Sequence, residues 1–258
     1  MSKTVTGLLI SLLASLFLTI TCSAQRSAGE TANIEPLYLI DMPVAGLLPA
    51  TAGSIETYLY PEGGVLIGAV YGLRRNLNVG VFYGGTRLIG SGGITWDNFP
   101  GFLVRYRLFE ENAQNPAVVA GIETQGKDGY IPSWHQYVVK SPGLFVTASK
   151  NYELWGNVSF HGGINYTLER HDHDWSPNIY FGMEKSVGEL VSVLGEYNFA
   201  FDNDKDRIGF WNGSFSLAAR VATNIGFNLD IQIKNLLTSA FYYQKIVRSI
   251  HIQYVRYL

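Results

Sequence analysis

The chain has 258 residues, of which 14% are aromatic and only 16% charged, with 28 glycines and a formal net charge of −2. The charged fraction lies well below the ~25% usual for soluble domains, and a near-neutral balance without basic clusters argues against a nucleic-acid partner. Mean hydropathy is nevertheless only +0.08, as expected where apolar residues alternate with polar ones instead of running together.

Residues 1–24 read as a secretory signal peptide. Lys3 gives a positive start, Leu8 to Ile20 a short apolar stretch, and Cys22-Ser23-Ala24 the small residues before a cleavage site. Lipidation of Cys22 is the rival reading, but Thr19-Ile20-Thr21 fits a lipobox poorly. Residues 25–50 lack a clear period and read as a periplasmic N-terminal segment. Residues 51–258 form the barrel domain, and no later stretch has the ~18 uncharged apolar residues of a spanning helix.

From there alternation recurs. Period two places successive side chains on opposite faces of a strand. Twelve strands are predicted, near 53–61, 65–74, 77–85, 101–109, 116–124, 141–150, 154–169, 177–185, 189–202, 213–222, 226–236 and 245–257. In the second, Val65, Ile67, Ala69, Tyr71 and Leu73 share a side; in the fourth, Phe102, Val104, Tyr106 and Leu108 oppose Arg105 and Arg107. A buried parallel strand would be apolar on both faces, so these charges exclude it. The longest run, 154–169, has Phe160 and Ile164 on one face and Asn157, His161, Asn165 and Glu169 on the other. The fold class that follows is all-β: a transmembrane antiparallel up-and-down barrel of about 12 strands, with lipid outside and a polar interior.

The connections support this. Short links at 74–77, 110–116, 151–153, 186–189 and 223–226 alternate with longer ones at 85–100, 125–140, 170–176, 203–212 and 237–244; the tight turn near 61–64 is the exception. Barrels have short periplasmic turns and longer outer loops, so both termini are expected in the periplasm of a cell with a bacterial outer membrane. Trp96, Trp134, Trp175 and Trp211 lie in or beside the long loops, as interfacial aromatics do. The last strand runs to Leu258 and resembles the signal read by the barrel-insertion machinery.

Candidate lumen-lining residues are Arg105, Arg107, Glu123, Asn157, His161, Asn165, Glu184, Glu196, Arg220, Asp230 and Lys234. Charges in a lumen either pair with one another or line a conduit. Twelve strands enclose more space than strand side chains alone fill, and residues 85–100 are a candidate inward-folded plug or, equally, a plain outer loop.

Other clusters carry less. His171-Asp172-His173-Asp174 has metal-ligand chemistry but no second cluster to fix the spacing, and Asp202, Asp204 and Asp206 lack the Gly and Glu of a calcium loop. No metal or cofactor is expected. A lipase would need a serine and a histidine within hydrogen-bond reach; Ser159 and His161 lie about 7 Å apart at strand rise. No catalytic residues are assigned.

Residues 80–111 and 140–169 carry Tyr83-Gly84-Gly85, Gly90-Ser91-Gly92, Arg105-Tyr106-Arg107-Leu108, Ser149-Lys150-Asn151 and His161-Gly162-Gly163. In these elements the chain resembles the YjbH family of outer-membrane β-barrel proteins, which is associated with exopolysaccharide gene clusters. The resemblance implies an outer-membrane barrel, here without further periplasmic domains, that assists export of a polysaccharide or another polar solute. Its expected partners are outer-membrane lipids, lipopolysaccharide and export proteins. The resemblance implies no catalytic or ligand residues. A closed structural or adhesive barrel acting through its outer loops is the alternative, and an outer-membrane lipase or protease a remote one.

Overall fold

The computed structural model describes residues 35–202, 213–237 and 246–258. The signal peptide with Cys22, together with Asp204, Asp206 and Trp211, lies outside the described residues.

The strands are β1 (Ala52–Tyr60), β2 (Gly64–Arg74), β3 (Leu77–Thr86), β4 (Thr95–Trp96), β5 (Gly101–Phe109), β6 (Ala117–Glu123), β7 (Lys127–Ile131), β8 (Gln136–Val139), β9 (Gly143–Glu153), β10 (Asn157–Tyr166), β11 (Asn178–Val187), β12 (Val191–Asn198), β13 (Ser214–Ala222), β14 (Phe227–Lys234) and β15 (Val247–Tyr257). Among the described residues, twelve of them form one antiparallel sheet that closes on itself, leaving out β4, β7 and β8. The seam joins the first and last strands: Ala52 faces Tyr257 and Leu59 faces Ile250. Closure removes the unpaired edges that an open sheet would present to lipid.

All twelve predicted strands are present. The runs at 154–169 and 189–202 depart most, since β10 covers only Asn157–Tyr166 and β12 only Val191–Asn198; the first shows why. Before β10, Trp155 (φ 47°) and Gly156 (φ 93°) turn the chain, and the Leu154 amide donates to the Gly156 carbonyl at 2.7 Å. At its far end the register with β9 shifts at Tyr166. The sequence keeps its alternating parity through the turn, which is why period alone overextended the strand. The turn at 61–64 is tight for a conformational reason. Glu62 and Gly63 both have positive φ (61° and 63°), and the Gly64 amide donates to the Pro61 carbonyl. This handedness matches the twist of the flanking strands.

The two faces differ as expected. Ile55, Ile67, Phe102 and Phe181 point outward and are 54–60% exposed, in a belt continued by Val81, Leu144, Ile164 and Ile231. Such a surface would be a large apolar patch in water; it is complementary to hydrocarbon. The outward lysines Lys150 and Lys185 stand near the short-turn end and donate to backbone carbonyls in or beside those turns (Asn112 and Trp155), so their charged heads leave the apolar belt.

The inner face is covered. Residues 35–50 enter from the short-turn end as a hairpin, with the Val44 amide donating to the Leu37 carbonyl and the Leu39 amide to the Met42 carbonyl, both at 3.1 Å. Its tip is Ile40-Asp41. Gly46 is required where the arms meet, since a Cβ there would lie 1.8 Å from the Pro36 carbonyl oxygen. The described part of the expected periplasmic segment therefore lies inside the barrel. From the long-loop end, β7 and β8 fold inward as a second hairpin. Leu37, Tyr38 and Leu48 of the first hairpin pack with Leu66, Val70, Phe82 and Leu103 of the wall, and Leu39, Ile40 and Val44 with Leu194 and Ala218.

Candidate functional site in the barrel lumen

Every candidate lumen residue faces the interior. All are buried except Asn157, which is half-buried at the start of β10. What they meet is the N-terminal hairpin, and mostly its backbone.

Arg105, fully buried on β5, donates through Nη1 to the Gly46 carbonyl at 3.1 Å and through Nη2 to the Leu37 carbonyl at 2.7 Å, clamping both arms. Its guanidinium also lies over the Tyr38 ring at 5.1 Å. Across the barrel, Arg220 on β13 donates to the Tyr38 and Leu39 carbonyls at 3.1 and 3.0 Å. It is held there by Asp230, through Nε at 2.7 Å and Nη2 at 2.8 Å, and by Glu184 at 3.3 Å. Bidentate pairing fixes the guanidinium plane, leaving Nη2 aimed at the hairpin. Arg107 at the short-turn end pairs with Glu35, which also accepts from the Leu47 amide.

The tip is bound by charge of both signs. Glu196 on β12 accepts from the amides of Ile40 (2.9 Å), Asp41 (3.1 Å) and Met42 (3.1 Å). Successive amides converging on one anion form a nest. The neighbouring carbonyls of Ile40 and Asp41 accept from Lys127 Nζ on β7 at 3.1 and 2.9 Å. Lys234 on β14 then joins the two hairpins, donating to Asp41 at 2.7 Å and to Asp128 at 3.0 Å. Around the remaining wall, Tyr38 donates to Glu123 at 2.6 Å, Tyr180 to the Pro43 carbonyl at 2.9 Å, and the Leu48 amide to Asn78 at 2.7 Å.

The neutral residues bind locally. His161 Nδ1 lies 2.8 Å from Ser149 Oγ, which also accepts from the Ala45 amide at 2.9 Å. Ser159 donates instead to Asn151, so the two residues considered for a lipase are each paired elsewhere. Asn165 Nδ2 donates to the Pro142 carbonyl at 3.1 Å, and the Asn157 amide to Ser186.

Of the two readings of 85–100, the outer loop is the one found. Residues 86–100 are mostly exposed and lie over the first turn, where the Arg87 amide donates to Glu62 and the Ile89 amide to Gly63. Asp97 is the exception: it turns inward, accepts from Gln125 Nε2 at 3.3 Å, and burial pushes its pKa up to about 6. In the adjoining loops Glu169 accepts from the Tyr137 and Ser141 amides, both at 2.7 Å. Lys140 pairs with Asp172 and donates to the Asp202 carbonyl. Burial raises the pKa of Asp202 to about 6. Among the described residues no group of three or more His, Cys, Asp or Glu side chains is placed to hold a metal ion, His171 to Asp174 included.

Glu35, Tyr38, Asp41, Glu56, Lys127, Asp128 and His251 are interior groups beyond the candidate lumen set. His251 stacks on Tyr58 at 4.1 Å and faces Asp230 at 3.2 Å. The alternation of β1 and β15 carried the signal for Glu56 and His251. Residues 35–50 and 125–140 carry no period that could have placed the others.

No family model and no curated protein matches the chain. Solved structures that it is similar to include the NanC porin, at 9% identity over 80% of this chain and 99% of that one with a TM-score of 0.42. Another is an outer membrane channel from Pseudomonas putida F1, at 13% identity over 87% and 99% with a TM-score of 0.36.

Proposed function

We propose that the protein is a non-enzymatic bacterial outer-membrane barrel, termini in the periplasm, that passes a polar, polyhydroxylated solute such as a polysaccharide when its N-terminal hairpin leaves the lumen. One observation carries this reading: the wall holds the hairpin chiefly by its backbone. Arg105 and Arg220 of the wall donate to carbonyls and Glu196 of the wall accepts from amides, while Lys127 of the inward β7 hairpin donates to two further carbonyls. Sites that bind carbonyls and amides satisfy hydroxyl groups equally well, since a hydroxyl both donates and accepts. With the hairpin withdrawn, the wall would offer a ladder of donors and acceptors to a neutral sugar chain. The resemblance to YjbH-like proteins agrees with this solute class. The twelve-stranded wall leaves a space that strand side chains alone do not fill.

The second reading, a permanently closed barrel acting through its loops, is favoured by the apolar packing of Leu37, Leu39 and Leu48 against the wall. Liposome swelling separates the two. A chain lacking 36–48, inserted into liposomes, is expected to admit neutral oligosaccharides that the complete chain excludes. Equal exclusion by both, with the barrel folded, would leave the closed reading standing.

A further inference from the structure

On the outer wall, where β15, β1, β2 and β3 meet near the short-turn end, the apolar belt is interrupted by a groove of about 620 Å³. This volume falls in the ~300–1,000 Å³ range of sites that hold small ligands. Register explains it. Gly53 faces Arg256 on one side and Tyr71 on the other, and one level along, Ile55 faces Tyr254 and Ala69. Gly53 and Ala69 thus form a low floor between the taller Tyr254, Tyr71 and Leu258. Even a Cβ on Gly53 would stand 3.2 Å from Leu258 Cδ1, so the leucine would have to shift to admit one.

The groove has a charged end. Arg256 lines it. Arg74 and Arg75 follow Tyr71 at the close of β2, about 10 Å further on at strand rise. All three are exposed, and among the described residues none forms an ion pair with a carboxylate. An apolar slot in the belt that opens toward three arginines at one membrane interface is complementary to an acyl chain beneath an anionic headgroup.

We propose that this groove is a binding site for one anionic phospholipid, its chain along Gly53 and Ala69 and its phosphate beside Arg256, Arg74 and Arg75. The inference rests on the membrane placement above but not on passage of any solute.

The test is native mass spectrometry of the complete protein released from mixed micelles of phosphatidylglycerol and phosphatidylcholine. The wild type is expected to retain one phosphatidylglycerol, several-fold over phosphatidylcholine. Ala69→Trp, which fills the floor, abolishes retention of either lipid. The triple variant Arg74→Gln, Arg75→Gln, Arg256→Gln keeps a bound lipid but loses the preference, which preserves the test should Ala69→Trp fail to fold. Equal retention of both lipids by the wild type would overturn the proposal, as would a stoichiometry untouched by Ala69→Trp. A dimer of the chain in place of a lipid adduct would do the same and would assign the groove to a second copy. A protein that inserts and conducts but shows no preference defeats this inference alone.

Discussion

Glu196 grips the hairpin through Ile40: its Oε2 accepts the Ile40 amide at 2.9 Å, and the next two amides converge on the same carboxylate. Hydrogen bonds to a charged group contribute ~1.5–3 kcal/mol each, and a buried group left unsatisfied costs about as much. Glu196→Gln keeps the shape and removes the charge. The tip is then expected to loosen by about 2–3 kcal/mol with the barrel intact. A cysteine placed at the buried Met42 reads this out: it should react with a maleimide at least tenfold faster in the Glu196→Gln background.

Removal of Arg220 should act on the barrel as well as the plug. Arg220→Met takes the guanidinium away from Asp230, which keeps its contact with His251 at 3.2 Å, and from Glu184, both buried, and breaking one side of a buried ion pair costs ~3–5 kcal/mol. A marked fall is expected in the temperature at which the folded band disappears on heat-modified gels. Changing Arg220, Asp230 and Glu184 together to apolar residues of similar volume should restore much of the loss.

Gly46→Val attacks the hairpin without touching the wall. Its Cβ would collide with the Pro36 carbonyl 1.8 Å away, so the arms cannot close as they do. The barrel should still form, since strand pairing is unaffected. The Met42 cysteine should become as reactive as an exposed residue. A protected cysteine in a folded Gly46→Val barrel would show that the hairpin seats by other contacts.

Acidity should tighten the long-loop end. Asp97 and Asp202 have folded-state pKa values raised to about 6 by burial, above the ~3.9 of a free aspartate. The folded state thus holds more protons than the unfolded one between pH ~4 and 6. Their contribution is most favourable below pH ~4 and is lost as pH rises through 6. Hydrogen exchange at the Asp97 amide, which donates to the Gly84 carbonyl, corrected for intrinsic rate, should show protection falling from pH 4.5 to 7. Asp97→Asn should flatten that dependence.

How much of this was legible in the sequence follows from where periodicity exists. Arg105 and Arg107 alternate with Phe102, Val104 and Tyr106, so their inward direction could be read directly. The same holds for Arg220, Asp230 and Lys234. Their partners could not be read. Arg105 binds the carbonyls of Leu37 and Gly46, and backbone atoms leave no trace in side-chain order. Lys127 and Asp128 sit in a segment with no period, so the inward hairpin appeared only as a long loop. Residues 85–100, rich in glycine, could be read as a plug or as an outer loop. The Arg87 and Ile89 amides donate to the Glu62 and Gly63 carbonyls at the rim, and most of the segment stays exposed there.

Conductance across a planar bilayer tests the central claim most directly, that the 35–50 hairpin is a removable plug of the barrel lumen. The complete protein should be silent or show rare, brief openings, and the chain lacking 36–48 should conduct steadily, with Glu196→Gln opening at intermediate frequency. A folded barrel lacking 36–48 that inserts and still insulates would contradict the account.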